Sequence, residues 1–534
     1  MINYKDLIVY QIYPLSFFDS NNDGIGDLQG IIDKVSYIRN LGANAIWLSP
    51  IYSSPLEDNG YDISDYKTIN PIFGSLETLK ELIEVYHKNN IKVLMDLVVN
   101  HTSKEHFWFK EALKSTDNKY HDYYLWKKKK GNWKSLFGGS AFEYVENLDM
   151  YYLHLFSKGQ PDLNWENEDV RSEIKDILKF YLDMGIDGFR CDVINLISKR
   201  SGLPNGKKRF PVKGLEHYLN GPHVHDYLNE LRQDVINKYD AFLIGEGVFI
   251  SPEESIDYKV RKEIEMFFEF DHTNADCHFI KWFPKKFKLK NLKKELNKWQ
   301  YALQDEGWNA LYFNNHDQPR SVERYGSLYF REASAKFLAT FLFCLKGTPF
   351  IYQGEEIGMT NAHFPELSMY EDIETKNVYK SLKKIMSYKH FMKIAMKVSR
   401  DNARTPMQWT SEQYAGFSKV KPWFRINRNY KEINVKTDLK KANSIYSYYE
   451  KLTYLKKTSE ALKYGVYKDL LPKSSKEVKY LRIYKNQEIL VIGNFREKST
   501  VLNTLGFNNI LLGNYDNKGD LFKPFEIRVY LKKG

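Results

Sequence analysis

The chain has 534 residues, of which 43% are apolar, 28% charged and 15% aromatic, and its 79 Lys and Arg against 68 Asp and Glu give a formal net charge of +11. That length exceeds one small domain and can bury a large core, and the composition is globular rather than disordered. Three widely spaced cysteines, Cys191, Cys277 and Cys344, argue against a disulfide framework and against a cysteine-based zinc site.

The basic balance comes with no nucleic-acid motif. Lys127–Lys130 and the pairs Lys285-Lys286 and Lys293-Lys294 read as solvated faces and loops. An anionic, phosphorylated sugar is the functional reading of the charge worth keeping. The start of the chain lacks a basic-then-apolar signal pattern, and no apolar run reaches the roughly 18 residues that span a bilayer. A soluble cytoplasmic monomer acting on a small molecule is the expectation.

Strand and helix alternate along the chain. Leu7–Tyr13 reads as a buried strand. Ile31, Val35 and Ile38 predict a helix over 31–41 that stops at Gly42, and Ala45–Leu48 is the next strand. Leu79, Leu82, Ile83 and Tyr86 line one face of a helix over 76–89, which feeds the strand Lys92–Val99. Residues 102–168 are rich in Trp, Tyr, Lys and Gly with no clean helix, and insertions of this length are lids or small domains. Ile174, Ile177, Leu178 and Tyr181 predict a helix over 170–184 stopped by Gly185, then the strand Ile186–Val193. Phe242–Glu246, Ile264–Phe270, Ala310–Asn314 and Thr348–Gln353 complete eight strands. Eight βα units imply an α/β protein with a closed (β/α)8 TIM barrel, formed by 1–101 and 169–460, with 102–168 inserted after the third strand. From about Ala461 short alternating runs, such as Glu488–Asn494 and Phe525–Leu531, predict a C-terminal antiparallel β-sandwich over 461–534.

Four segments at the ends of these strands carry acids beside candidate partners. They are Asp96-Leu-Val-Val-Asn-His101, Gly188-Phe-Arg190-Cys-Asp192-Val193, Ile244-Gly-Glu246-Gly and Asn315-His316-Asp317-Gln-Pro-Arg320. Barrel enzymes place their chemistry at the C-terminal ends of strands. Three acids from separate segments, Asp192, Glu246 and Asp317, suit cleavage through an oxocarbenium-like cation. Such chemistry needs a nucleophilic carboxylate and a carboxylic acid, and a third anion can stabilise the charge. Strand alternation turns Arg190 and Asp192 to one side and Cys191 to the other. The fixed cation of Arg190 should keep Asp192 ionised.

The segments together resemble the α-amylase superfamily of retaining α-glycosidases, and above all its oligo-1,6-glucosidase group. The likeness extends to Gln11-Ile-Tyr-Pro14, Gly26-Asp-Leu-Gln-Gly30, Gln160-Pro-Asp-Leu-Asn-Trp165, Gly307-Trp-Asn309 and Asp401-Asn-Ala-Arg404. The resemblance implies Asp192 as nucleophile, Glu246 as general acid and base, and Asp317 as transition-state stabiliser. It implies His101, Gln160, Arg190 and His316 around the glucose, with Asp62 and Arg404 closing the pocket of an exo-acting enzyme. Asp96 would support His101 or the strand end. Val193 after the nucleophile is similar to enzymes of α-1,6 preference, where Thr or Ala accompanies α-1,4 preference. Gly247 after the acid departs from the usual bulky residue and puts the aglycone side in question. Trp165 and Phe142 read equally as pocket rim or as packing of the insertion.

Asp19, Asn21, Asp23, Ile25 and Asp27 place oxygens at alternate positions around a Gly turn, as hard cations want. Gly30 stands where an EF-hand has its bidentate Glu, so the loop is not an EF-hand. The family carries a similar loop with one ion. Structural Ca²⁺ is the expectation, with Mg²⁺ or a metal-free loop as alternatives, and no organic cofactor. The functional expectation is an exo-α-glucosidase acting on α-1,6 bonds of isomaltose and isomalto-oligosaccharides. The alternatives are a trehalose-6-phosphate hydrolase, a sucrose- or maltose-active α-glucosidase, and a non-catalytic binding barrel.

Overall fold

The computed structural model describes residues 3–207, 212–278, 280–516 and 518–533. Eight parallel strands form the central sheet: β1 (Val9–Ile12), β2 (Ala45–Leu48), β3 (Lys92–Leu97), β4 (Gly188–Cys191), β5 (Phe242–Glu246), β6 (Met266–Phe268), β7 (Ala310–Leu311) and β8 (Thr348–Tyr352). Their spatial order is β6-β5-β4-β3-β2-β1-β8-β7. A parallel bridge between Phe267 and Asn309 joins β6 to β7 and closes the ring. All eight lie within the strands expected from sequence: β2 and β5 have the expected bounds, and the other six are shorter.

Alternation along each strand divides the residues between two cores. Val9, Ala45, Trp47, Leu94, Phe242, Ile244, Met266, Phe268, Ala310 and Phe350 pack together inside the barrel. Ile8, Tyr10, Ile46, Val93, Met95, Phe189, Cys191 and Leu243 belong to the larger core under the helices. The parity that puts Leu94 inside also puts Asp96 there, and the parity of Phe242 and Ile244 carries on to Glu246. Cys191 faces the helices, as expected of a small buried residue. Gly188 is required by crowding: a Cβ there would lie 2.4 Å from the carbonyl oxygen of Phe242 on β5.

The helices follow their apolar faces. The helix Leu76–Lys88 is capped by Ser75, and Glu168–Met184 is capped by Asn167 and ends at Gly185 with φ 108°. The helix expected over 31–41 is two helices, Leu28–Asp33 and Val35–Asn40, because Lys34 leaves the helical region at φ −102° and ψ 9°. The insertion contains a helix that sequence missed, Phe107–Ala112, beside a three-stranded antiparallel sheet of Trp126–Lys127, Met150–Leu153 and Phe142–Val145. The C-terminal region forms a five-stranded antiparallel sheet from β9 (Val466–Asp469), β10 (Glu477–Tyr484), β11 (Gln487–Asn494), β12 (Asn509–Gly513) and β13 (Ile527–Lys533), ordered β9-β10-β11-β13-β12. A two-stranded ribbon, Thr500–Val501 with Leu521–Phe522, accompanies it.

Polar groups lock that sheet to the barrel. The Tyr480 hydroxyl donates to the Phe341 carbonyl at 2.9 Å, and buried Arg482 donates to the carbonyls of Cys344 at 2.6 Å and Gly465 at 2.8 Å. Lys293 is not the solvated lysine expected. It is buried, and its ammonium donates to the carbonyl of Leu471 and lies 3.4 Å from Asp469. Among the described residues no helix is long and apolar enough to cross a membrane.

Candidate active site

The C-terminal ends of β3, β4 and β5 bring three carboxylates onto one guanidinium. Arg190 Nη1 donates to Asp96 Oδ1 and, at 2.6 Å, to Asp192 Oδ1, while its Nη2 lies 2.8 Å from Glu246 Oε2. The guanidinium is sandwiched near Trp47 and Tyr61, 5.4 and 5.8 Å from their ring centres. Asp96 does not support His101, as one reading of the sequence had it. It is the anchor of Arg190, and it also accepts from Trp47 Nε1 at 3.0 Å and the Tyr61 hydroxyl at 3.1 Å.

Burial and charge then separate the two reactive carboxyls. Burial pushes Asp192 up to about 6 even though Arg190 opposes the shift. Burial pushes Glu246 further, to about 8; Arg190 works against this, and the negative charges of Asp192 and Asp317 add to it. Arg190 therefore limits the rise at Asp192 and does not depress it below the normal range. Near neutral pH the pair consists of one carboxylate and one carboxylic acid, the division of labour that acid–base cleavage uses. Glu246 Oε2 already accepts from Arg190 and, at 3.1 Å, from the Val193 backbone N–H. The proton of the neutral acid consequently sits on Oε1. Val193 reaches Glu246 by adopting φ 38° and ψ 39°, a costly conformation for a β-branched residue.

A cavity of about 150 Å³ opens at this centre, lined by Asp192, Val193, Glu246 and Val248. Tyr61, His101, Gln160 and Asp317 also line it, with Asp58, Phe137, Phe156 and Arg400. His316 is buried, stacks on Tyr61 at 5.2 Å and lies 3.3 Å from Asp317 Oδ2. Its Nδ1 accepts from Gln11 Nε2 at 2.8 Å, so its Nε2 carries the hydrogen toward the Tyr61 hydroxyl, 2.7 Å away. Burial pushes His316 down to about 3, so it is a neutral donor. Burial also works against ionisation of Asp317, but the fixed charges of Arg400 and Arg404 beside it hold that carboxyl well below the usual range.

Two expected pocket residues give way to their neighbours. Asp62 is turned back into its own loop, where its carboxylate accepts from Ser54 Oγ at 3.0 Å, Glu57 N at 2.9 Å and Asp58 N at 3.1 Å. Asp58 faces the cavity instead, receiving Gln160 Nε2 at 3.2 Å and Arg400 Nη2 at 3.3 Å. Arg404 stands behind the wall: it donates to the His316 carbonyl at 3.0 Å and to Asp317 Oδ1 at 2.9 Å. Arg400 is the cation in the cavity wall, held by Asp58, by Asp317 at 3.1 Å and by Asp372 at 2.7 Å. The link Asp58–Arg400–Asp317 forms part of the cavity lining.

Sequence reading missed Asp58, Tyr61, Phe137, Phe156, Val248 and Arg400. Tyr61 and Arg400 stand one residue from segments that were singled out. Phe137 and Phe156 lie in the irregular insertion, where no periodicity marks a facing. Phe137 packs 5.4 Å from the Arg400 guanidinium, and Phe156 lies 5.2 Å from His101. Trp165 and Phe142 are packing residues. Trp165 is buried with its Nε1 donating to the Val99 carbonyl at 2.9 Å, and Phe142 packs with Trp133 under the insertion. Gly247 does not widen the aglycone side, since a Cβ there would lie 2.4 Å from Ile250 Cγ2 and 3.0 Å from Phe267.

The candidate cation loop is ordered by its own side chains. Asp19 accepts from the N–H groups of Asn22 at 2.7 Å and Gly24 at 2.8 Å. Asp23 accepts from Ile25 N at 2.8 Å, and Asp27 accepts from Ser20 and caps the following helix through Gly30 N at 2.6 Å. The donor set is all hard oxygen; Asp19 and Asp23 keep lone pairs for a cation, while Asp27 already accepts from Ser20 N, Ser20 Oγ and Gly30 N.

Comparison with known proteins agrees with this geometry. The model of the α-amylase catalytic domain matches residues 11–465. The chain is 48% identical to an oligo-1,6-glucosidase of Parageobacillus thermoglucosidasius, over 99% of this chain and 98% of that one. The crystal structure of the trehalose-6-phosphate hydrolase of Bacillus licheniformis superposes with a TM-score of 0.94 at 43% identity, covering 100% of both chains. That of the isomaltulose synthase of Erwinia rhapontici NX5 gives 0.96 at 37% identity, again over 100% of both.

Proposed function

Because this chain belongs to the α-amylase family and is a glycoside hydrolase, a retaining exo-acting glucosidase, we propose that it releases glucose from the non-reducing end of α-1,6-linked substrates such as isomaltose. Asp192 attacks the anomeric carbon as a carboxylate while Glu246 delivers the proton on Oε1 to the departing oxygen. Glu246 then takes a proton from water, which hydrolyses the glucosyl ester. One guanidinium bridging both carboxyls supports the close pairing of retaining chemistry over the wider spacing that houses a water. Asp317, kept ionised by Arg400 and Arg404, steadies the cationic transition state. His101, Gln160 and Tyr61 line the place of the glucosyl unit, His316 backs it through the Tyr61 hydroxyl, and the Asp58–Arg400 link suits a pocket that takes one terminal glucose.

The observation that carries the linkage is the apolar wall beside the acid. Val193 and Val248 line the cavity where the leaving oxygen must sit. An α-1,6 bond brings an exocyclic methylene to that place. An α-1,4 bond brings a ring carbon flanked by hydroxyls, which an isopropyl group cannot satisfy. A change of this size is worth about 1–3 kcal/mol, so it sets a preference. Glucose release from isomaltose, maltose, sucrose, trehalose and trehalose 6-phosphate tests the reading, with Asp192→Asn as blank. Isomaltose should be the best substrate, and Val193→Thr should raise maltose relative to isomaltose. Cleavage of trehalose 6-phosphate alone, or an unchanged ratio in Val193→Thr, would sink the α-1,6 reading.

We also propose that the loop over 19–27 holds a structural Ca²⁺ through Asp19, Asn21, Asp23, Asp27 and the Ile25 carbonyl. The types of donor support it. The loop lies outside the catalytic cavity, so the ion would serve the fold and not the proton transfers.

A further inference from the structure

Lys199 is buried at a place where the reaction needs no ammonium. Its side chain is 2% exposed, and its Nζ lies 2.8 Å from Asp162 Oδ2 and 2.7 Å from Asn100 Oδ1. Three segments meet here: Asn100 follows β3, Asp162 ends the insertion and Lys199 lies in the loop after β4. An ammonium only donates hydrogen bonds. The Asn100 atom facing it is therefore the carbonyl oxygen, and the amide has one orientation.

That orientation propagates. The Asn100 amide nitrogen points at Asp162 Oδ2 at 3.0 Å and at His101 Nδ1 at 3.2 Å. This nitrogen too only donates, so His101 Nδ1 must accept. The hydrogen of the ring is then on Nε2. Nε2 faces the Tyr61 carbonyl at 3.0 Å, the acceptor for that hydrogen; the Gln160 amide nitrogen, 3.2 Å from Nε2, has Asp58 Oδ2 and the same carbonyl, each at 3.2 Å, to receive its own two hydrogens. Burial lowers the basicity of His101, so the ring keeps a single N–H.

We propose that Asn100 and Lys199 are positioning residues that set the tautomer of His101, so that its single N–H is on Nε2, bonded to the Tyr61 carbonyl and shared with a hydroxyl oxygen of the bound glucosyl unit. The claim about substrate rests on the glucosidase reading above; the claim about the tautomer does not. A purely structural Lys199 would tie the insertion to the barrel and leave the tautomer indifferent to its removal.

Nitrogen NMR of ¹⁵N-histidine-labelled enzyme, free of substrate, separates these. The His101→Asn variant identifies the His101 signals. The wild-type ring should show a protonated Nε2 and a bare Nδ1. Lys199→Met removes one of the two contacts that fix the amide and leaves the one to Asp162, so a protonated Nδ1 should appear in part. Lys199→Arg should keep the wild-type pattern. Asn100→Asp keeps the shape and the buried cation but can only accept, so it should force the hydrogen onto Nδ1. Loss of one neutral donor predicts a fall of about three- to tenfold in kcat/KM for isomaltose in Lys199→Met and Asn100→Asp. A wild-type ring protonated at Nδ1 overturns the proposal at once. So does an unchanged tautomer in a folded Asn100→Asp, which decides the matter if Lys199→Met does not fold. Because the tautomer is read without substrate, a different substrate preference would not affect this outcome.

Discussion

Glu246 keeps its proton because burial penalises its anion and two neighbouring carboxylates add to the penalty, with Arg190 the one opposing charge. Asp192 feels the same burial but shares Arg190 more directly, and it settles near 6. The productive state needs Asp192 ionised and Glu246 protonated. kcat/KM should therefore rise with pH through about 6 and fall through about 8. Arg190→Met tests the cause. Removing the cation takes away what holds Asp192 down, so the acidic limb should move to higher pH. Activity at pH 7 should fall by about 10²-fold or more, the usual loss when one oriented donor is deleted from a buried charged site. An acidic limb that stays in place would mean that Arg190 does not govern Asp192.

At the scale of elements, the site is delivered by strand parity. Gly188 and Phe242 are paired neighbours on β4 and β5, the strands that lead to Asp192 and Glu246. In Gly188→Ala the new methyl must push against the Phe242 backbone carbonyl, 2.4 Å away. Backbone cannot swing aside as a side chain can. Overpacking of this kind costs about 1–3 kcal/mol, and here it displaces β5 against β4. Denaturant melts should show that loss, together with a fall in kcat out of proportion to it. The loop over 19–27 makes the opposite prediction. If it holds Ca²⁺, chelation should lower Tm and leave kcat at 25 °C unchanged, and added Ca²⁺ should restore Tm; a Tm indifferent to both would remove the ion from the account. Sequence made these strands legible because buried runs ended at acids and helices were bounded by caps such as Gly185. It did not distinguish Asp58 from Asp62 or Arg400 from Arg404. Those four lie in a turn or on a short helical piece, where the facing of each side chain depends on backbone angles and tertiary partners that spacing does not encode. The same holds for Phe137 and Phe156, which are set by the fold of the insertion.

Across the whole molecule, the +11 charge and the chemistry of the cavity point to different substrates, and ionic strength separates them. A positive surface draws in anions over the Debye length, about 10 Å at 0.1 M salt and about 3 Å at 1 M. A phosphorylated sugar would feel that field, and its KM would climb as salt screens it. A neutral disaccharide feels almost none of it. Inside, the wall cation Arg400 is already committed to Asp58, Asp317 and Asp372. Arg190 is likewise committed to Asp96, Asp192 and Glu246. Both arginines are less than 10% exposed, so salt screens these pairs weakly. kcat/KM for isomaltose should therefore change less than about twofold between roughly 0.05 M and 0.5 M NaCl, a range that shortens the Debye length about threefold. A tenfold fall would mean that surface lysines take part in capture. The substrate would then have to carry negative charge, and trehalose 6-phosphate would displace isomaltose as the expected one.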